Sequence, residues 1–357
     1  MENIERYRHL NSYLKNKFGE RTLKICIDGN FTCPNRDGKV GTSGCIFCSE
    51  RGSGEHILCN HIEDDVTSIH NQVKAYFSSY KATRANKFIA YFQNFTNTYD
   101  SLANLKAKYN AALIDERIVG LEIATRPDCI NEDIVRLIKS YSDKYYVCVE
   151  LGLQTFNDTT GKLICRGYNS LDFTNAVLIL NKYNIDVVAH IMVGLPSENL
   201  DDIKKTVKFL NNHSIQGLKI HSTYVVENTV LANWYKCGKY EPISLEYYLD
   251  CLAYIITHIS PDIVIHRISG DAPKDILVAP AFRLPIPLFI SVDACANLFK
   301  PTLNSFKLVF NNVTFSCISL TSSNFVVKVS SKVFKSSRFV IISFTASLFD
   351  SSNNFNS

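Results

Sequence analysis

The stretch Phe31-Thr-Cys33-Pro34-Asn35-Arg36-Asp-Gly-Lys-Val-Gly-Thr-Ser-Gly44-Cys45-Ile46-Phe47-Cys48 decides how the rest of the chain is read. Its three cysteines are separated by eleven and then two residues. Gly, Pro, Asn and Asp fill the gaps, so the segment is a loop that wraps a group instead of building a core. Two thiols at C-x-x-C spacing point at one centre, and the third closes from the other side. No fourth ligand stands in register. Structural zinc takes four closed ligands. A [4Fe–4S] cube on three cysteines keeps one iron open.

Outward from the loop, apolar runs alternate with helix-like segments. Leu23–Ile27 reads as a strand before the loop, and Ile62–Tyr80 as a helix after it. Strands are expected at Lys87–Phe92, Val119–Ala124, Tyr146–Leu151, Asp186–Val193, Gly217–Ser222 and Asp262–Arg267. Helices are expected at Asn131–Ser140, Leu171–Tyr183, Asn199–Leu210 and Leu245–His258, with Asn131 as an N-cap. Continuous apolar strands between amphipathic helices mean β/α repeats on a parallel sheet, here an α/β partial barrel of about six units. Functional groups then belong at the carboxyl ends of the strands, where the cysteine loop also falls. Polar residues recur there: Gln93, Thr96 and Asn97; Thr125, Arg126 and Asp128; Glu150 and Gln154; His190; His221 and Tyr224; Arg267.

Size and charge narrow the classes. The 357 residues are ample for a core. The polar start excludes a signal peptide, and no long uncharged apolar run marks a membrane span. Twelve cysteines without an export signal point to a reducing cytoplasm and to metal or redox roles. Residues 281–357 carry seven basic and two acidic groups, and the other 280 carry 31 and 32, so the main body has no bulk basic charge for nucleic acid. Arg6, Arg8, Lys15, Lys17 and Arg21 make a solvated N-terminal helix or a local phosphate-contacting edge. After Pro280 the composition breaks: the tail holds 12 of the 22 Phe and no Gly, Tyr or Glu. Two segments are therefore expected: 1–280, a β/α core with an N-terminal extension, and 281–357, a divergent Ser/Phe-rich tail. We read that tail as a non-homologous end in preference to an added β-rich element.

The cysteine loop resembles that of the radical S-adenosylmethionine (radical SAM) superfamily, nearest to the YhcC/YtqA-type proteins related to the catalytic subunit of Elongator. Further blocks agree in order: Gln93-Asn-Phe-Thr96-Asn97-Thr-Tyr99, Ala124-Thr125-Arg126-Pro127-Asp128, Glu150-Leu-Gly-Leu-Gln154-Thr155, His190-Ile-Met-Val-Gly194-Leu-Pro196 and His266-Arg-Ile-Ser-Gly-Asp-Ala-Pro273. The likeness covers about residues 3–280. One departure is Cys165 before Arg166-Gly167, where the family tends to have Asn. Another is the end, where Ala279-Pro280 leads into the tail instead of a Trp-containing helical segment.

The resemblance implies a TIM-like partial (β/α)6 barrel with a [4Fe–4S] cluster on Cys33, Cys45 and Cys48. S-adenosylmethionine would chelate the open iron and be cleaved to a 5′-deoxyadenosyl radical. Phe47 would pack near the adenine, and Gln93, Thr96 and Asn97 would meet the methionine amino group. Glu150 and Gln154 would meet the ribose or the methionine carboxylate. Thr125, Arg126, His190 and Tyr224 would line the mouth. It also implies a tRNA substrate, namely the wobble-uridine side chain converted from carboxymethylaminomethyl to aminomethyl, and an electron donor such as flavodoxin or ferredoxin. Two other readings stay open: a radical SAM enzyme on a non-RNA substrate, and a zinc module with Cys59 or His61 as fourth ligand.

Overall fold

The computed structural model describes residues 7–50, 52, 63–270, 272 and 275–280, and the backbone of 307–310 and 313–316. The chain divides into two compact units, Met1–Phe282 and Arg283–Ser357. In the second, β10 (Lys307–Phe310) pairs antiparallel with β11 (Val313–Ser316). The rest of the tail, with Cys59 and His61, lies outside the described residues.

The first unit is built on seven parallel strands: β1 (Thr22–Ile27), β2 (Lys87–Phe92), β3 (Ile118–Thr125), β4 (Tyr146–Gln154), β5 (Asp186–Val193), β6 (Gly217–Ser222) and β8 (Val264–Arg267). They pair in sequence order throughout. A short antiparallel pair, β7 (Val225–Val226) with β9 (Leu277–Ala279), lies apart from this sheet. The strands are mostly apolar; in β2, Phe88, Ile89, Ala90, Tyr91 and Phe92 are all buried. Such a strand needs cover on one side and a filled interior on the other.

The sheet curls. Lys24 on β1 and His266 on β8 both reach the Glu122 carboxylate on β3, at 2.5 Å (Nζ) and 3.8 Å (Nδ1). In a flat sheet, at about 4.8 Å per strand, the two edge strands would stand about 29 Å apart. The architecture is therefore an α/β partial barrel, as expected. Helix α1 (Leu10–Phe18) packs on both edge strands. Just before it, Arg8 O accepts from Ile265 N at 2.8 Å, so the N-terminal segment lies along the β8 edge. Arg8 Nη1 also donates to Asp262 O at 2.8 Å, and Lys17 Nζ stands 4.4 Å from the Tyr146 ring centre. These two cations are thus engaged within the fold.

The covering helices start where the sequence supplies caps. They are α2 (Asp65–Phe77), α3 (Leu102–Ala112), α4 (Glu132–Lys139), α5 (Asp158–Leu163), α6 (Ser170–Lys182), α7 (Leu200–Asn211), α8 (Val230–Lys236) and α9 (Leu245–His258). Asn131 caps α4 through Ile134 N, as expected. Asn169 with Asp172, and Asn199 with Asp202, form reciprocal capping boxes on α6 and α7. Acids in the first turn of α4 and bases in its last complement the helix dipole. No helix among the described residues is long and apolar enough to cross a membrane.

After α5 the chain turns sharply through Cys165, whose φ is +54°. Asn tolerates this left-handed conformation better than Cys, because its short amide bonds the local backbone. Cys165→Asn is expected to raise stability by about 0.5–1 kcal/mol, read as a higher denaturant midpoint at unchanged slope. An unchanged or lower midpoint would contradict this account of the turn.

Candidate functional site

At the carboxyl ends of the strands lies a cavity of about 530 Å³. Cys33, Cys45 and Cys48 line it together. The loop that carries them is fastened to itself: Arg36 N donates to Cys33 O (2.8 Å), Gly44 N to Asn35 O (2.7 Å) and Cys48 N to Cys45 O (3.0 Å). Gly44 has φ +73°, and a Cβ there would stand 2.9 Å from Arg36 Nε, so the turn excludes a side chain. Ile46 anchors the loop in a small apolar cluster with Ile164, Leu195, Val225 and Leu231. Its backbone N–H donates to Ile164 O, and its carbonyl accepts from Leu231 N.

The three sulfurs are close enough to feel each other. Burial pushes the Cys45 thiol up to about 12; Cys48 and Cys33 add to this, and Arg126 and the Asn35 amide oppose it. Three thiols of one loop at one cavity suit a cluster that takes three cysteines and keeps one iron open.

The other walls fit a polar ligand. Thr96 Oγ1, Ser222 Oγ and His221 Nε2 belong to lining residues and are buried without a hydrogen-bond partner among the described residues. Of the expected site residues, Phe47, Gln93, Thr96, Glu150 and Gln154 line the cavity, as do Thr125, Arg126, His190 and Tyr224. Phe47 also packs against the apolar cluster that anchors the loop. Gln154 Oε1 accepts from Tyr168 Oη at 2.6 Å.

Asn97 is not among the lining residues. Fully buried, its amide donates to Phe92 O (3.3 Å) and Ala124 O (2.7 Å), bracing β2 to β3. Glu150 lines the cavity with its carboxylate committed. Oε2 accepts from Tyr91 Oη (2.5 Å), Lys219 Nζ (2.7 Å) and His190 Nε2 (2.9 Å), and Oε1 pairs with Lys24 Nζ (3.3 Å). It therefore organises the barrel floor.

That floor is a buried charge network which the strand-end pattern did not reveal. Glu122 and Glu150 face Lys24 and Lys219, with His190, His221 and His266 around them. Burial alone would raise Glu150, but Lys219, Lys24 and His190 hold it well below the usual carboxylate range. Burial pushes Glu122 up to about 8 against the pull of Lys24. Burial also lowers all three imidazoles, so they are neutral near pH 7. Glu122, Glu150 and His266 lie close enough to ligate an ion, but two ammonium groups already supply that charge. The available signal was a single Lys inside each of two apolar strands, Thr-Leu-Lys24-Ile and Gly-Leu-Lys219-Ile.

A partial barrel that gathers three thiols and a polar cavity at its strand ends is the architecture of a cofactor-dependent enzyme. Comparison with known proteins makes this specific. Residues 36–210 match the radical SAM superfamily, and residues 215–289 match the radical SAM C-terminal domain. The uncharacterized protein YtqA of Bacillus subtilis is 37% identical over 280 residues, 78% of this chain and 86% of that protein. A tRNA uridine(34) acetyltransferase of Dehalococcoides mccartyi is 34% identical over 161 residues, 44% of this chain and 34% of that one. In fold, the chain resembles the archaeal Elp3 of Methanocaldococcus infernus, solved with an N-terminal deletion. The TM-score is 0.54 at 19% identity, covering 72% of this chain and 58% of the other. The chain belongs to the radical SAM superfamily, whose cofactors are a [4Fe–4S] cluster and S-adenosylmethionine and whose chemistry needs a reductant.

Proposed function

We propose that this chain modifies the side chain of a tRNA wobble uridine, converting carboxymethylaminomethyl to aminomethyl, with its cluster held by Cys33, Cys45 and Cys48. The observation that carries the reading is the trio of thiols that one loop brings to the strand-end cavity. When bound, the cluster and S-adenosylmethionine supply a carbon radical that takes a hydrogen atom from an unactivated C–H bond.

The chain's own residues orient and shield. Phe47 offers an apolar face for the adenine. Gln93, Thr96 and Gln154 offer polar contacts to the methionine and ribose. Neutral His190, its Nε2 on Glu150, leaves Nδ1 as an acceptor for a substrate N–H. Arg267 lines the cavity and has no acidic partner among the described residues, which makes it our choice for the substrate carboxylate.

The wobble-uridine substrate is supported by the relative described as acting on tRNA uridine 34. In our reading the enzyme works in a reducing cytoplasm and takes its electron from a flavodoxin or ferredoxin. No disulfide joins the nine cysteines among the described residues, which accords with that compartment. Mass spectrometry of tRNA nucleosides from a deletion strain tests the substrate. Carboxymethylaminomethyl-uridine should accumulate and its aminomethyl product should disappear. Unchanged wobble nucleosides would overturn the tRNA assignment.

A further inference from the structure

We propose that Asn35 and Arg126 set the reduction potential of the cluster by donating N–H···S bonds to two of its cysteines. This rests on the assignment of Cys33, Cys45 and Cys48 as ligands. Asn35 Nδ2 stands 3.8 Å from Cys45 Sγ and donates to Cys165 O at 2.6 Å. Arg126 Nη1 stands 3.8 Å from Cys33 Sγ and donates to Arg166 O at 3.0 Å. The two arrangements are alike. Each terminal NH₂ carries two hydrogens. One is held by a backbone carbonyl, and the other is left for a sulfur. The two carbonyls belong to consecutive residues of one turn.

That turn is shaped for the purpose. Cys165 and Gly167 both have positive φ, at +54° and +81°. A Cβ on Gly167 would stand 2.8 Å from Val40 Cγ1, 3.2 Å from Asn35 Oδ1 and 3.3 Å from Arg126 Nη2, so a side chain there would crowd both donor residues. Arg126 is locked further. Its Nε and Nη2 are bidentate to Asp128 at 2.9 and 2.7 Å, and its guanidinium lies 4.7 Å from the Tyr168 ring centre. The Asp128 pair uses the other edge of the fork and leaves Nη1 for the sulfur and the carbonyl. Asn35 and Arg126 are 5% and 7% exposed, so water does not compete for either contact.

Reduction adds one negative charge to a cluster, and part of it falls on the thiolate sulfurs. Buried N–H donors stabilise that charge and favour the reduced form, which raises the potential. Asn35 and Arg126 act through the cysteines and are positioning residues.

The test is an EPR-monitored redox titration of the full chain, reconstituted anaerobically. Asn35→Ala and Arg126→Leu should each load iron and titrate at a more negative potential than wild type. Their shifts should add in the double variant, because they act on different sulfurs. Asn35→Asp, equal in size but with no N–H, should shift at least as far as Asn35→Ala. Unchanged potentials in iron-loaded variants would overturn the proposal. Loaded wild type with both single variants empty would overturn it too, leaving the contacts as architecture. A wild type that takes up no iron would instead overturn the ligand assignment.

Discussion

Replacing Cys45 by alanine is expected to abolish the visible iron–sulfur absorbance of the reconstituted protein and all cleavage of S-adenosylmethionine, with the fold intact. The fold should survive because the loop is held by contacts that do not involve this sulfur. Ile46 stays in its apolar cluster, and the backbone bonds at Cys33, Asn35 and Ile46 remain. The cluster should not survive, because two cysteines cannot hold a cube whose fourth corner is open. Iron content and far-UV circular dichroism read the two halves separately. A Cys45→Ala protein that keeps its iron and still cleaves S-adenosylmethionine would remove the ligand assignment.

Lys219→Met should cost about 3 kcal/mol of folding stability, a large loss for one surface-remote side chain. Lys219 Nζ lies 2.7 Å from Glu150 Oε2 and 2.9 Å from Tyr91 Oη, and its side chain is 10% exposed against 0% for Glu150. Removing it leaves a buried carboxylate short of one compensating charge. The expected loss sits at the low end for a broken buried pair, because Lys24 still reaches Glu150 at 3.3 Å. Adding Glu150→Gln removes the uncompensated charge and should recover part of the loss, a coupling that separates charge from packing. Denaturant melts of the two single variants and the double variant measure it. A Lys219→Met protein as stable as wild type would mean that the floor network is not a stability element.

The scaffold was readable because its signal is local. Asp186–Val193, Gly217–Ser222 and Leu245–His258 fall where the pattern puts them, since an apolar run or a capped amphipathic segment carries its own boundaries. Helix α3 was not anticipated. Its Leu-Ala-Asn-Leu-Lys-Ala-Lys-Tyr-Asn sequence mixes polar groups onto the inner face, and Lys108, 5% exposed, is buried there against Asp65 and Asp100. The cysteine wall was legible from spacing alone. The floor was not, because Lys24, Glu122, Glu150, Lys219 and His266 come from five strands, and only curling of the sheet makes them neighbours. Asn97 illustrates the same limit. Its place after β2 fits a ligand contact equally well, and only the three-dimensional neighbours reveal a strut between strands. Asn35 sits inside the decisive stretch, yet its role needs the carbonyl of Cys165, which is 130 residues away in the chain.

The account turns on whether this cavity runs S-adenosylmethionine chemistry. The direct measurement is to purify and reconstitute the chain without oxygen, count iron, add S-adenosylmethionine and a strong reductant, and assay 5′-deoxyadenosine. The prediction is about four irons per chain and time-dependent 5′-deoxyadenosine. A colourless protein carrying zinc or no metal, and forming no 5′-deoxyadenosine, would contradict it.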